Sequence, residues 1–257
     1  MELELGGKVA IVTGASKGIG RAIAEELAAE GMKLVLAARS ADLLQDLAGK
    51  LNRECLVQAI DLRTNDAAAA LVQAAVSRFG RIDLLVNNAG ATKRGDFLTL
   101  TDDDWADGYA LKFFGAMRLT RAVWPHLKAS QGGVVNIIGV GGRTGSAEFA
   151  IGGSVNAAGM NLTKVLADRG VLEGVRVNAI NPGSIATDRL KVRITSFAKE
   201  QGITEAEAAQ RMPRAMGVAR FGEPMEIAKA VAFLASPAAA YINGAILDVD
   251  GGLTRTL

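Results

Sequence analysis

Short runs of continuous apolar residues alternate along this chain with longer segments whose apolar positions recur every three or four residues. Lys8–Thr13 (KVAIVT) reads as a buried strand, and Gly18–Glu30 as a helix with Ile19, Ile23 and Leu27 on one face. Gly31 ends that helix. The rhythm then repeats. Strands are expected at Lys33–Ala38, Cys55–Ile60, Ile82–Val86, Gly133–Ile138, Val175–Ile180 and Ala245–Val249, with helical patterns between them, the alanine-rich Asp66–Ala75 included. Strands without polar alternation imply a sheet covered on both faces, and intervening helices imply that they run parallel. The expected fold class is α/β, one doubly wound parallel sheet of about seven strands, with ligand at the carboxyl ends of the strands.

One stretch breaks the rhythm. Residues 185–221 carry Lys191, Arg193, Lys199, Arg211, Arg214 and Arg220 without a clear strand. They read either as a mobile helical lid over the ligand crevice or as a rigid, solvated helical pair. With that insert, residues 1–257 are expected to form a single domain, a size that buries a well-filled core. A formal net charge of +2 gives no reason to expect nucleic acid or a membrane surface as partner. The opening residues lack the basic start and apolar stretch of a secretory signal, and no apolar run is long enough to span a bilayer. Cys55, the single cysteine, rules out an internal disulfide and fits a reducing, cytoplasmic setting. One cysteine and one histidine offer no metal-ligand cluster.

The strongest local motif is Thr13–Gly20 (TGASKGIG), placed after a strand and at the start of a helix. Gly14 permits a tight turn, Gly18 lets backbone approach a pyrophosphate, and Gly20 lets helix and strand pack closely. The helix start then offers free N–H groups and positive dipole charge to phosphate. An acid at the end of the second strand would favour a free ribose 2′-hydroxyl. Here that strand ends in Ala38 and Arg39. Arg39 can fork onto a phosphate, and Lys17 adds charge from within the glycine loop. Either they select NADP(H), with NAD(H) possible, or they are ordinary surface charges.

Further motifs follow in order: Asp61-Leu62, Asn87-Asn88-Ala89-Gly90, Asn181-Pro182-Gly183, Arg220 to Pro224 and Val249 to Gly252. Together with TGASKGIG they resemble the short-chain dehydrogenase/reductase family over essentially the whole chain. The resemblance implies a Rossmann-type fold and a nicotinamide dinucleotide. It also implies contacts at each matching position. Gly14, Ser16, Lys17, Gly18, Ile19 and Gly20 would cradle the pyrophosphate and adenosine ribose. Asp61 and Leu62 would touch adenine, and Asn88, Ala89 and Gly90 would line the nucleotide. Pro182, Gly183, Ile185 and Thr187 would flank the nicotinamide. Family members also pair through two long helices, here about Asp102–Lys128 and Ser154–Arg169, so a homodimer or homotetramer is implied, with residues 242–257 completing another interface.

The same resemblance makes the proton-transfer positions countable, and this chain departs from the pattern there. The family's serine position falls on Gly139, its tyrosine on Gly152, its lysine on Asn156 and its asparagine on Lys112. Lysine and asparagine are thus exchanged. Lys112 either supplies the charge, and an acid or base, from the opposite helix, or snorkels to solvent or pairs with Asp107 or Asp103. Ser154 either presents a hydroxyl or caps the following helix. Glu148 and Phe149 lie close by, His126 reads as structural, and Cys55 as a buried small hydrophobe. Glycines 139, 141, 142, 152 and 153 suggest a widened pocket for a bulky or ring-bearing substrate.

Two functions remain open. One is an NADP(H)-dependent oxidoreductase of an unknown carbonyl/alcohol pair, with an atypical, rearranged site. The other is a non-redox protein on the same fold, either an NADP(H)-binding sensor or regulatory subunit, or a lyase or isomerase.

Overall fold

The expected strands form one sheet. The computed structural model describes residues 2–255. Its strands are β1 (Val9–Thr13), β2 (Lys33–Ala38), β3 (Cys55–Ala59), β4 (Leu84–Asn87), β5 (Gly133–Ile137), β6 (Arg176–Pro182) and β7 (Ile246–Val249). They pair in the order β3-β2-β1-β4-β5-β6-β7, every pair parallel. This is the doubly wound, Rossmann-type sheet. The order reverses between β1 and β4, where the loops after the two strands part and leave a crevice.

The helices are α1 (Gly18–Ala29), α2 (Ala41–Lys50), α3 (Ala67–Phe79), α4 (Asp102–Tyr109), α5 (Ala116–Ser130), α6 (Ala150–Val171), α7 (Asp188–Gln201), α8 (Glu205–Ala215) and α9 (Pro224–Ala235). Alternate strand residues feed two separate cores, because successive side chains point to opposite faces. Ala10, Val12, Leu34 and Leu36 pack on one face with Ile23 and Leu27 of α1, Leu44 and Leu47 of α2, and Ile227 and Val231 of α9. Val9, Ile11, Val35 and Leu85 pack on the other with Leu71 of α3, Leu119, Val123 and Leu127 of α5, and Ala167 of α6.

Two local features depart from expectation. The segment Asp102–Lys128, expected as one long helix, is interrupted by a π-helical turn at Ala110–Gly115 between α4 and α5. Such turns insert an extra residue and re-aim the side chains they carry, which here include Lys112. The second long helix begins at Ala150 rather than Ser154. Residues 185–221 contain α7 and α8, whose starts are Thr187 and the Thr204–Glu207 capping box. No described helix is long and apolar enough to cross a membrane.

Candidate active site

Thr13, at the end of β1, ties the two sides of the crevice together. Its hydroxyl donates to the Val86 carbonyl (3.1 Å) and accepts from the Asn88 and Ala89 amides at 2.9 and 3.0 Å. The Asn88 side-chain amide donates back to the Thr13 carbonyl at 2.9 Å. The glycine loop sits against this brace. A Cβ on Gly14 would lie 2.8 Å from Asn88 Nδ2, and one on Gly20 would collide with the Gly14 carbonyl oxygen. Gly18 adopts φ +57°, a conformation that favours glycine. The first turn of α1 has no side-chain cap, so its amides are free for an anion.

A cavity of about 290 Å³ runs from this loop to the end of β2 and across to β4. It gathers Gly14, Ser16, Lys17, Gly18, Ile19, Gly20, Arg39, Asp61, Leu62, Asn88, Ala89, Gly90 and Thr187, all singled out from the sequence. The donor-rich, side-chain-poor cradle fits a dinucleotide phosphate. Arg39 and Lys17 are exposed and form no ion pair among the described residues. Burial would raise the Asp61 carboxyl, but hydrogen bonds from the Arg63 amide and guanidinium (3.0 and 3.2 Å) outweigh it and hold the group below its ordinary value.

A larger cavity of about 660 Å³ adjoins the first and takes in Pro182, Gly183 and Ile185. Lys112 and Asn156 meet in its wall. Lys112 Nζ donates to the Ile138 carbonyl and to Asn156 Oδ1, both at 2.6 Å. Asn156 is buried, at 2% exposure. Lys112 neither snorkels nor pairs with Asp107 or Asp103, because the π-turn aims it inward and Asp107 instead holds Arg63 at 3.0 Å. Burial, and secondarily the Arg189 charge, push the Lys112 ammonium down to about 8.

The glycines beside this pair divide between the cavity lining and places of close approach. Gly139 and Gly141 line it, Gly139 at φ +128°. Gly142 lets the turn after β5 press on α6, where a Cβ would lie 2.8 Å from the Ala157 amide nitrogen. Above Gly152 the space is taken by the Phe149 ring, which a Cβ there would strike. Arg94 stacks on that ring, with Cζ 4.3 Å from its centroid. Ser154 neither caps a helix nor lines the cavity. It lies inside α6, and its hydroxyl donates to the Ala150 carbonyl at 2.9 Å.

Comparison with known proteins agrees with this architecture. A family model described as Enoyl-(Acyl carrier protein) reductase matches residues 14–254. The chain is 38% identical to the 3-oxoacyl-(acyl-carrier-protein) reductase FabG of Vibrio cholerae, covering 98% of this chain and 99% of that one. The chain belongs to the short-chain dehydrogenase/reductase family. As a member it is an NAD(P)-dependent oxidoreductase. Among solved structures, L-sorbose reductase of Gluconobacter frateurii in complex with NADPH and L-sorbose superimposes with a TM-score of 0.94, at 33% identity and full coverage of both chains. A single-substitution variant of actinorhodin polyketide ketoreductase with NADPH gives 0.92 at 32% identity, covering 97% and 98% of the two chains.

In this short-chain dehydrogenase/reductase, sequence reasoning missed Arg94 and Arg189 in the larger cavity and named Arg193 only among the charges of residues 185–221. Arg94, Arg189 and Arg193 all line that cavity. Arg189 also lines the smaller cavity and donates to the Gly90 carbonyl. Arg189 and Arg193 stand four residues apart on one helical face, a spacing that was visible once α7 was placed. Arg94 lies in an irregular loop with no periodic signal. Glu148 and His126 line none of the described cavities. Cys55 is half-buried rather than buried, because β3 is an edge strand. Burial still raises its thiol.

Proposed function

We propose that this protein is an NADP(H)-dependent carbonyl reductase or alcohol dehydrogenase in which Lys112 and Asn156 take over proton transfer. The observation that carries this reading is the Lys112 ammonium held between the Ile138 carbonyl and Asn156 Oδ1 in the wall of the larger cavity. When bound, the nicotinamide supplies or accepts the hydride. An ammonium has three donors, and two are committed to these oxygens, so one is left for a substrate oxygen. With its pKa lowered to about 8, the group is mostly protonated at neutral pH yet gives up its proton readily. In reduction it protonates the forming alkoxide. In oxidation the neutral amine takes the alcohol proton. Asn156 orients Lys112 without adding charge. Positions Gly139 and Gly152, where family members carry serine and tyrosine, contribute no hydroxyl in this reading.

NADP(H) is preferred because Arg39 and Lys17 are uncommitted beside the adenosine end of the smaller cavity and no acid ends β2. The NADPH complexes of the sorbose reductase and the polyketide ketoreductase support that choice. Residues 1–257 act as one domain, with α7 and α8 as the lid over the substrate side. Met1, Thr256 and Leu257 lie outside the described residues. The protein works in the cytoplasm as a homodimer or homotetramer. Val165, Val171 and Leu172 support the latter, exposed on α6 and just after it at 56%, 66% and 94%.

The test is a titration with NADPH and NADH followed by nicotinamide fluorescence, then a carbonyl screen with Lys112→Met as control. NADPH binding with turnover that the substitution removes supports the proposal. Binding with no consumption by any carbonyl supports instead a nucleotide sensor, a reading favoured by the Phe149 ring filling the space above Gly152. No binding of either nucleotide sinks both.

A further inference from the structure

Four cationic side chains and no carboxylate face the larger cavity. Arg94 enters from the loop after β4, Arg189 and Arg193 from α7, and Lys112 from the π-turn. Among the described residues fifteen ion pairs form, and none includes any of these four. What sets these four apart from the other unpaired cations is that they share one cavity whose lining holds no carboxylate.

Two of the four have backbone or amide oxygen acceptors: Lys112 on Ile138 and Asn156, and Arg189 on Gly90. Arg193 does not. Its guanidinium reaches only the Ser184 hydroxyl at 3.3 Å and the Met216 sulfur at 4.0 Å, a weak acceptor. Arg94 stacks on Phe149, which covers a face of the guanidinium and leaves its N–H edge free. Arg94 and Arg193 line the same cavity, and burial, then the Arg94 charge, lower the Arg193 pKa. Two guanidinium groups on one cavity lining that offers no carboxylate favour an anionic occupant. Thr144 and Ser146 line the same cavity and add neutral hydroxyl donors, while Val192 and Leu190 offer apolar wall.

We propose that Arg94 and Arg193 form an anion subsite, and that the substrate carries a carboxylate or phosphate group besides its reacting carbonyl or alcohol. This rests on the reading of the larger cavity as the substrate site. It adds a substrate class that the proton-transfer pair does not imply.

The experiment measures binding to the NADP⁺-saturated protein by calorimetry, so that it does not depend on turnover. The probes are 2-oxo-4-phenylbutanoate against its ethyl ester, and dihydroxyacetone phosphate against dihydroxyacetone. At least one anion is expected to bind about tenfold or more tighter than its neutral partner, and the pair that shows it distinguishes carboxylate from phosphate. Arg94→Met and Arg193→Met should each erase the preference and leave NADPH affinity unchanged. Arg193→Lys should restore part of it. The proposal is overturned if neither anion outbinds its neutral partner, or if the preference survives in the Arg94→Met/Arg193→Met double variant. If a variant fails to fold, the wild-type comparison decides alone. Failure of the redox reading would show separately, as NADPH bound but never consumed.

Discussion

Lys112 and Asn156 lie 44 residues apart in the chain and are joined by a 2.6 Å hydrogen bond in which the ammonium donates to the amide oxygen. The amide fixes the amine without charging it, and the Ile138 carbonyl fixes it from a second side. Because neither partner is an anion, no counter-charge opposes the desolvation and the Arg189 charge that lower the lysine to about 8.

The sign of the pH dependence follows. In the proposed reaction reduction uses the Lys112 ammonium, so its kcat should be flat at low pH and fall about tenfold per pH unit above about 8. Oxidation needs the amine and should rise through the same region to a plateau. Lys112→Met should lower kcat by about 10²–10⁴-fold and remove both limbs. Steady-state rates from about pH 6 to 10 check this. A profile identical in wild type and variant would take Lys112 out of the reaction.

Asn156→Asp provides a second, independent handle. A carboxylate 2.6 Å from the ammonium would favour its charged form, so the alkaline limb should move to higher pH by about 1 unit or more. Asn156→Leu removes an acceptor and leaves the limb in place or lower. A limb that does not move in Asn156→Asp would mean that the titrating group is not Lys112.

Cofactor choice should follow Arg39. It lines the smaller cavity at the end of β2 and is free of carboxylate partners among the described residues. Arg39→Ala should weaken NADPH binding by about tenfold to a hundredfold, the effect of one charge-assisted phosphate contact or two, and leave NADH nearly unchanged. The wild-type affinity for NADPH should also fall with added salt more steeply than that for NADH. Equal losses for both nucleotides would make Arg39 a structural residue.

The lining of the smaller cavity was legible in the sequence because its residues lie in short contiguous motifs. TGASKGIG, Asp61-Leu62 and Asn88-Ala89-Gly90 each sit at the end of a strand, and strands are visible as apolar runs. Once the sheet order is fixed these segments must converge on the switch point between β1 and β4. The larger cavity was less legible for a physical reason. Its charges come from one loop position, Arg94, and from one face of α7. Their meaning depends on which acids are absent around them, and that is a fact of packing. The inward aim of Lys112 depends on a π-turn that leaves the apolar periodicity of Asp102–Lys128 almost unchanged. The glycines near Asn156 looked like open space in the sequence, whereas Gly142 and Gly152 mark close approaches.

Gly152 and Phe149 should therefore be energetically coupled, and the sign can be worked out. Within a helix alanine is favoured over glycine by up to about 0.5–1 kcal/mol, and Gly152 lies in the first turn of α6. At Gly152 that gain is opposed, because the new methyl would meet the Phe149 ring and force it off its seat under Arg94. The lost stacking is worth about 0.5–1 kcal/mol at an exposed site. Gly152→Ala alone should then be neutral or destabilising. In a Phe149→Ala background the ring is gone, and the same substitution should stabilise by up to about 0.5–1 kcal/mol. Chemical denaturation of the four proteins in this double-mutant cycle measures the difference. Additive effects would mean that the ring already leaves Gly152 in solution, and the space above it would then be open to substrate.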